Sequence, residues 1–503
     1  ITCLSAINSN AAPSIIDWRE GGQTRHFEVA TNEFYHTESG KKFVHGKVER
    51  GESLIAARAR KTSPGKSADA ETGYIVYEAG KERNAINARY VTRQILIEVE
   101  PGTDVDALLK DLNARRIDHG VVKDPQVLIE VNTADEVFDL QTQIGKSPNA
   151  AGRVKFIEPQ LARIRPHRAI TPNDTLFSQQ WHLLNTGQNG GTAGIDVGLG
   201  NTWNTYRGAG LVIGIVDEGT QTAHPDLSAA ILSAYGYDWY GNDTDPNPTI
   251  NGEDHATSVA GVAAARGSNN VGVAGVAYEA NIAAFRLTAG ATTDAQEADA
   301  MTKFNSVIHI KNNSWGPSDN GTTLEEPGTL TQQAFADGCS SGRGGKGTIY
   351  VWAGGNGLGA NDNSNYDGYA NSIYTIAVCA ISDQGGQASY SEPGANLVVG
   401  APSSSSGRQG IVTTDRTGNT GYNKNGSSGE LSDKDYTQTF GGTSSASPAV
   451  SGSIALILQA NPNLGWRDVQ EVLMRSATKN SPSDSDWITN AAGIQFNHKF
   501  GAG

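Results

Sequence analysis

Leu211-Val212-Ile213-Gly214-Ile215-Val216, followed by Asp217-Glu218-Gly219, decides the architecture. Six apolar or small residues in a row lack the alternation of a half-wet strand, so the stretch reads as a strand buried on both faces. Apolar runs recur at 306–310, 348–352 and 373–378, and helical stretches such as 258–265 and 450–460 lie among them. Such runs, separated by helices, predict the α/β class: a parallel sheet covered by helices on both faces. Sites in these folds gather beyond the carboxyl ends of the strands, so the polar residues that end each run carry the interest.

Asp217 leaves a buried strand and can orient a histidine. Asp254-His255-Ala256-Thr257 opens a helix of small residues. The run at 348–352 leads into Ala353-Gly354-Gly355-Asn356-Gly357, where glycines let backbone approach a ligand and Asn356 offers an NH2 donor. Phe440-Gly441-Gly442-Thr443-Ser444-Ser445-Ala446-Ser447-Pro448 precedes the helix at 450–460. A serine at a helix N-terminus is ordinarily a cap. It is also a place where a hydroxyl and free N–H groups can hold an oxyanion. Singly, these signals read as a turn, a surface histidine and a cap. Together, in the order Asp, His, Ser, they read as a nucleophile, its base and an orienting carboxylate.

Asp217-x-Gly219, His255-x-Thr257, Asn312-Asn313-Ser314-Trp315-Gly316, Gly355-Asn356 and Gly442-Thr443-Ser444-x-Ala446-Ser447-Pro448 resemble the subtilase family, from about Asp174 to the C-terminus. An α/β-hydrolase elbow would need Gly at position 446, which is Ala. The resemblance implies a serine endopeptidase with a subtilisin-like fold. Ser444 would attack, His255 would take and return the proton, Asp217 would hold the imidazole, and Asn356 with the Ser444 N–H would bind the oxyanion.

The segments 313–321, 342–347, 367–369, 371–374 and 390–392 resemble the kexin/furin branch, which implies cleavage after Arg or Lys. Asp367 and Asp319, with Ser314, Trp315 and Gly316, would line the pocket for that basic residue. Glu218, Glu297 and Glu325 would stand near pockets for upstream basic residues, because guanidinium groups bind best to placed carboxylates. The branch also implies Ca2+. One site would use Asp174, Asp226, the Asn269 side chain and the carbonyls of Val271 and Val273; a second would use Asp319, Asp362 and Glu392. A third candidate is Asp238, Asp243 and Asp245. The chain departs from the family at Ala256, where Gly is usual, and in lacking the branch's cysteines. The β-sandwich domain that follows the catalytic one in that branch is expected to be missing or cut away. Two alternatives stay open: a broad-specificity exported subtilase, and a non-catalytic binding protein on the same scaffold.

Ahead of the catalytic domain, expected over 169–503, two stretches precede. Residues 1–88 read as a poorly defined β-rich extension. Residues 89–168 read as a small α+β pro-domain, with strands at 94–100, 127–131 and 154–157 and helices at 105–112 and 133–144. This segment would act as an intramolecular inhibitor. The exposed stretch Arg165-Pro166-His167-Arg168 carries Arg at both ends, as such pockets would accept, so self-cleavage is expected after Arg168. Charge is divided unevenly: 24 basic against 23 acidic residues over 1–168, and 15 against 30 over 169–503. An acidic body repels nucleic acid. No apolar run approaches the ~20 residues of a membrane span. Cys3, Cys339 and Cys379 show neither metal spacing nor a paired framework. The chain starts at Ile1, so a trimmed N-terminus is expected and no export signal is visible. The reading is a secreted monomer acting on polypeptides.

Overall fold

The computed structural model describes residues 15–20, 22–38, 42–48, 54–61, 72–81, 83, 87–163 and 171–503. It divides into two compact units, Ile1–Pro166 and His167–Gly503. The expected processing residue Arg168, with Arg165, Pro166 and His167, lies outside the described residues.

The first unit is built on one eight-stranded antiparallel sheet. Its strands are β1 (Ile15–Glu20), β2 (Gln23–Glu38), β3 (Lys42–Lys47), β4 (Thr72–Glu78), β5 (Ala88–Val99), β6 (Arg115–Arg116), β7 (Gln126–Glu130) and β8 (Val154–Ala162). Helices α1 (Leu54–Lys61), α2 (Val105–Asp111) and α3 (Glu136–Lys146) accompany it. The strands and helices expected over 89–160 are present. They are joined to the supposed extension by pairing of β4 with β5, so strands on both sides of position 88 share one sheet. The centre of β5 alternates as a half-wet strand does: Ile95, Ile97 and Val99 are buried, while Leu96 and Glu98 are half-exposed. The inward residues meet Leu108 of α2 and Leu140 and Ile144 of α3 in one core.

The second unit holds a seven-stranded parallel sheet. In chain order its strands are β9 (Val212–Asp217), β10 (Tyr237–Asp238), β11 (Asn281–Arg286), β12 (Ile310–Asn313), β13 (Ile349–Ala353), β14 (Thr375–Ile381) and β15 (Leu397–Pro402). Across the sheet they run β10-β11-β9-β12-β13-β14-β15. Every residue of β9, β13 and β14 is buried, as the continuous apolar runs predict. Ile213 and Ile215 of β9 enter one core with α4 (His255–Ala264) and α7 (Thr443–Ala460). Val212 and Val216 enter a second with α5 (Asp294–Thr302) and α6 (Thr329–Gly345). Helices thus cover both faces.

The strand expected over 306–310 is a correction: it begins at Ile310 and runs through Lys311, Asn312 and Asn313. All four residues are buried. Lys311 reaches the end of α5, donating to the Ala300 carbonyl at 2.6 Å and the Lys303 carbonyl at 2.9 Å. Burial holds this amine well below its ordinary range, which lowers the cost of enclosing it.

Candidate active site

β9 ends on Asp217, which is 2% exposed, and α4 begins with His255. The two meet: His255 Nδ1 lies 2.9 Å and 3.1 Å from the Asp217 carboxylate oxygens. Asp217 is held by the N–H of Glu218 at 2.8 Å. Burial pulls the imidazole down, but the Asp217 charge, its hydrogen bond and the Glu218 charge outweigh this and leave His255 above its ordinary value. Glu218, expected beside an upstream pocket, accepts the His255 backbone N–H at 2.7 Å. It therefore anchors the first residue of α4, where an acid also suits the helix dipole. Burial, then the Asp217 charge, pushes its carboxyl up to about 7.

α7 starts earlier than the expected 450–460, so Ser444 sits in its first turn. The Ser444 hydroxyl donates to the Ser314 carbonyl at 3.2 Å, and the Ser314 hydroxyl donates to the Ser444 carbonyl at 3.1 Å. This reciprocal pair ties the exit of β12 to the start of α7. Among the described residues, the Ser444 hydroxyl is thus engaged with Ser314 and not with His255. Behind it, Asn312 donates to the Ser314 hydroxyl and accepts from Ser447 and Ser451 of α7 at 2.8 Å and 2.9 Å. Asn356 follows β13. Its Oδ1 accepts the Thr443 N–H at 2.8 Å and the Thr443 hydroxyl at 3.1 Å. With Oδ1 occupied, the amide NH2 is the end left to serve as donor.

Asp367 is half-buried, and Oδ1 accepts the N–H groups of Tyr369 and Ala370 at 2.7 Å and 3.2 Å. Burial pushes its carboxyl up to about 7. A Cβ at Gly316 would lie 2.7 Å from Asp367 Oδ2, so only glycine lets this acid stand against the 314–316 segment. Trp315 donates from Nε1 to the Val216 carbonyl at 3.0 Å and packs on Trp352 and Tyr369. Glu297 is fastened to this aromatic wall, accepting from the hydroxyls of Thr292 at 2.6 Å and Tyr369 at 2.7 Å. Glu325 is exposed and bridges to Asp367 through backbone.

The acids of one expected cation site come together. Carboxylate oxygens of Asp319, Asp362 and Glu392 lie within 4.8 Å of one another. Burial, then the charges of Asp319 and Asp362, pushes Glu392 up to about 8. A Cβ at Gly355 would lie 2.4 Å from the Glu392 carboxylate, so the acids close on a space that a side chain would fill. Three close carboxylates fit a hard divalent cation. In the other site, Asp226 accepts from Asn269 Nδ2 and the Val273 N–H, each at 2.8 Å. Asp174 accepts the Ser268 N–H at 2.8 Å and the Asn269 N–H at 3.4 Å, while Asn269 Oδ1 accepts the Val271 N–H. Burial pushes Asp226 up to about 7. The third candidate is a correction. Asp238 is bound by Arg286 at 2.8 Å, so a guanidinium holds the place offered to a metal ion.

Sequence reasoning missed that arginine. Arg286 ends β11 and is 1% exposed. It joins Asp238 at 2.8 Å to Glu253 at 2.5 Å, two residues before His255. An arginine closing an otherwise apolar strand was the available signal; its partners, 48 and 33 positions away, were not legible.

Known proteins resemble the chain in both of its units. Residues 208–503 match the Peptidase_S8 (subtilase) family, and residues 78–160 match the fervidolysin N-terminal prodomain. PC3-like endoprotease variant B of Hydra vulgaris is 40% identical over 362 residues, covering 71% of this chain and 49% of that protein. Neuroendocrine convertase 2 of Rattus norvegicus is 40% identical over 346 residues, covering 66% of this chain and 51% of its own length. The chain therefore spans about half the length of the curated relatives it matches. The crystal structure of the serine protease of Aeromonas sobria superposes with a TM-score of 0.61 at 28% identity, covering 68% of each chain. Among the described residues, no helix is long and apolar enough to cross a membrane.

Proposed function

The chain belongs to the subtilase family, and from that premise we propose that it is a serine endopeptidase cutting after Arg or Lys and made as a self-processed zymogen. The observation that carries the reading is the Asp217–His255 pair at a strand end, with Ser444 in the first turn of a buried helix and Asn356 held against its neighbour Thr443.

On this reading the Ser444 hydroxyl turns from the Ser314 carbonyl to His255 when substrate binds; catalytic hydrogen bonds often tighten only in the complex. Ser444 Oγ attacks the scissile carbonyl carbon while its proton passes to His255 Nε2. Asp217 keeps the other ring nitrogen protonated and stabilises the imidazolium. The oxyanion meets the Asn356 NH2 and the Ser444 N–H. His255 then protonates the leaving amine, the C–N bond breaks, and an acyl-enzyme remains. Water, deprotonated by His255, cleaves the ester and restores Ser444.

Asp367 stands beside Ser314-Trp315-Gly316 as a half-buried acid among aromatic rings, a setting that favours a guanidinium or ammonium over an apolar side chain. Both oxygens of Glu297 accept hydroxyls, whereas both N–H groups on Asp367 go to Oδ1 and leave Oδ2 toward Gly316, so Glu297 is secondary to Asp367 in this role. Asp319, Asp362 and Glu392, and separately Asp174, Asp226 and Asn269, would hold Ca2+, which would neutralise acids packed beside the pocket. Residues 89–168, most of which lie in the stretch 78–160 that matches a prodomain, would restrain the enzyme until cleavage after Arg168. Secretion follows the same family reading.

A fluorophosphonate probe tests the core claim. The wild-type chain is expected to be labelled and to hydrolyse peptides after Arg, and Ser444→Ala to do neither while keeping its circular-dichroism spectrum. Labelling that persists in Ser444→Ala refutes the assignment.

A further inference from the structure

Past β15, strands β16 (Ile411–Thr414) and β17 (Tyr436–Phe440) pair antiparallel and are joined by the loop 415–435. This exceeds the ~12–15 residues beyond which structureless connections are uncommon and usually functional. The loop is built rather than slack. Its first residue, Asp415, is 0% exposed and accepts the N–H groups of Arg416 at 2.8 Å and Asn423 at 2.7 Å. A Cβ at Gly421 would lie 2.1 Å from the same carboxylate. Residues 421 and 423 thus both clamp on Asp415, and the residue between them, Tyr422, has its place dictated.

The loop is also fastened to the site. Thr417 and Gln221 exchange hydrogen bonds at 2.8 Å and 2.9 Å, and the Gln221 N–H donates to Thr257 of α4 at 3.1 Å. Arg416 donates to the Ile250 carbonyl and lies 3.5 Å from Asp254, the residue before His255. Tyr422 packs on Phe440 at 6.1 Å between ring centroids, and Phe440 stands edge-on to His255 at 5.6 Å. Yet Tyr422 remains 38% exposed. An ordered, clamped aromatic left open one ring away from the imidazole, with Phe440 between them, is a surface made to be covered by something else.

Chemistry says what covers it. If His255 protonates the leaving amine, the residue bearing that amine must lie against His255. We propose that Tyr422 is a specificity-determining residue: with Phe440 it forms an apolar shelf for the side chain immediately after the scissile bond, favouring a bulky, best aromatic, residue there. This rests on the serine endopeptidase reading. Aromatic faces packed edge-on or offset gain beyond simple burial, and apolar pockets discriminate by about 10–200-fold.

The test uses the full chain and peptides identical except for Phe or Gly after the cut, with competent enzyme counted by fluorophosphonate titration. The wild type is expected to favour Phe by about tenfold in kcat/KM. Tyr422→Ala should bring the ratio close to one, and Tyr422→Phe should keep it; Tyr422→Leu, expected to give an intermediate ratio, serves if the alanine variant does not fold. An unchanged ratio in Tyr422→Ala or Tyr422→Leu, or equal losses on both peptides, overturns the proposal and leaves the endopeptidase reading standing. A wild type that takes no label and cuts no peptide refutes both.

Discussion

The two sheets of this chain handle polar groups in opposite ways. The antiparallel sheet carries ion pairs that water reaches: Arg25, 37% exposed, lies 2.9 Å from Glu78, and Arg83 lies 3.0 Å from Glu28, although Arg89 and Glu20 form a less open pair. The parallel sheet encloses its polar side chains. Arg286, 1% exposed, holds Asp238 and Glu253, and Lys311 is sealed against helix-end carbonyls. The difference follows from topology. Helices on both faces exclude water from the parallel sheet, so its polar side chains depend on protein partners rather than on solvent. That same covering leaves the carboxyl ends of the strands as the place where polar groups can emerge together.

Breaking the enclosed set should produce the largest effect. Arg286→Met leaves two buried carboxylates uncompensated and is expected to cost about 3–5 kcal/mol in denaturant unfolding of the second unit. Asn356→Ala tests the strand-end site itself. It should lower kcat by about 10²–10³, a size borrowed from the equivalent change in subtilisin, and cost some stability as well, because buried Thr443 loses its acceptor; turnover within about twofold of wild type would falsify the oxyanion role. Chelation sharpens the contrast further. If Asp226 and the Asp319–Asp362–Glu392 group bind Ca2+, EDTA should remove about 2.7 kcal/mol per site at a free ion level a hundred times Kd, lowering the melting temperature of the second unit. An unmoved melting temperature speaks against structural Ca2+. The smallest effect belongs to the wet sheet: Arg25→Ala should cost under ~1 kcal/mol, because solvent screens an exposed pair. Were it to match Arg286→Met, the contrast between the sheets would fail.

Much of the site was legible because the chemistry is concentrated in short motifs. Asp217, His255, Asn356 and Ser444 each close or open an element whose apolar pattern announces it, and the structure places Asp217 against His255 and Asn356 against Thr443. Strand β12 was misplaced by four residues because Lys311, Asn312 and Asn313 look like a polar turn. The carbonyls of Ala300 and Lys303 receive Lys311, and the hydroxyls of Ser447 and Ser451 meet Asn312, partners that no local pattern shows. Glu218, expected near an upstream pocket, also accepts the His255 N–H, a bond that no local pattern signals.

By itself the sequence determined the α/β class and singled out one acid, one histidine, one serine and one amide as candidates, because apolar runs and short motifs are local properties. Tertiary structure alone decided that β4 pairs with β5 across position 88, that Arg286 rather than a metal ion answers Asp238, and that Tyr422 stands beside the His255 ring through Phe440. These depend on groups far apart in the chain meeting where water is excluded, and no local pattern encodes which distant partner will arrive.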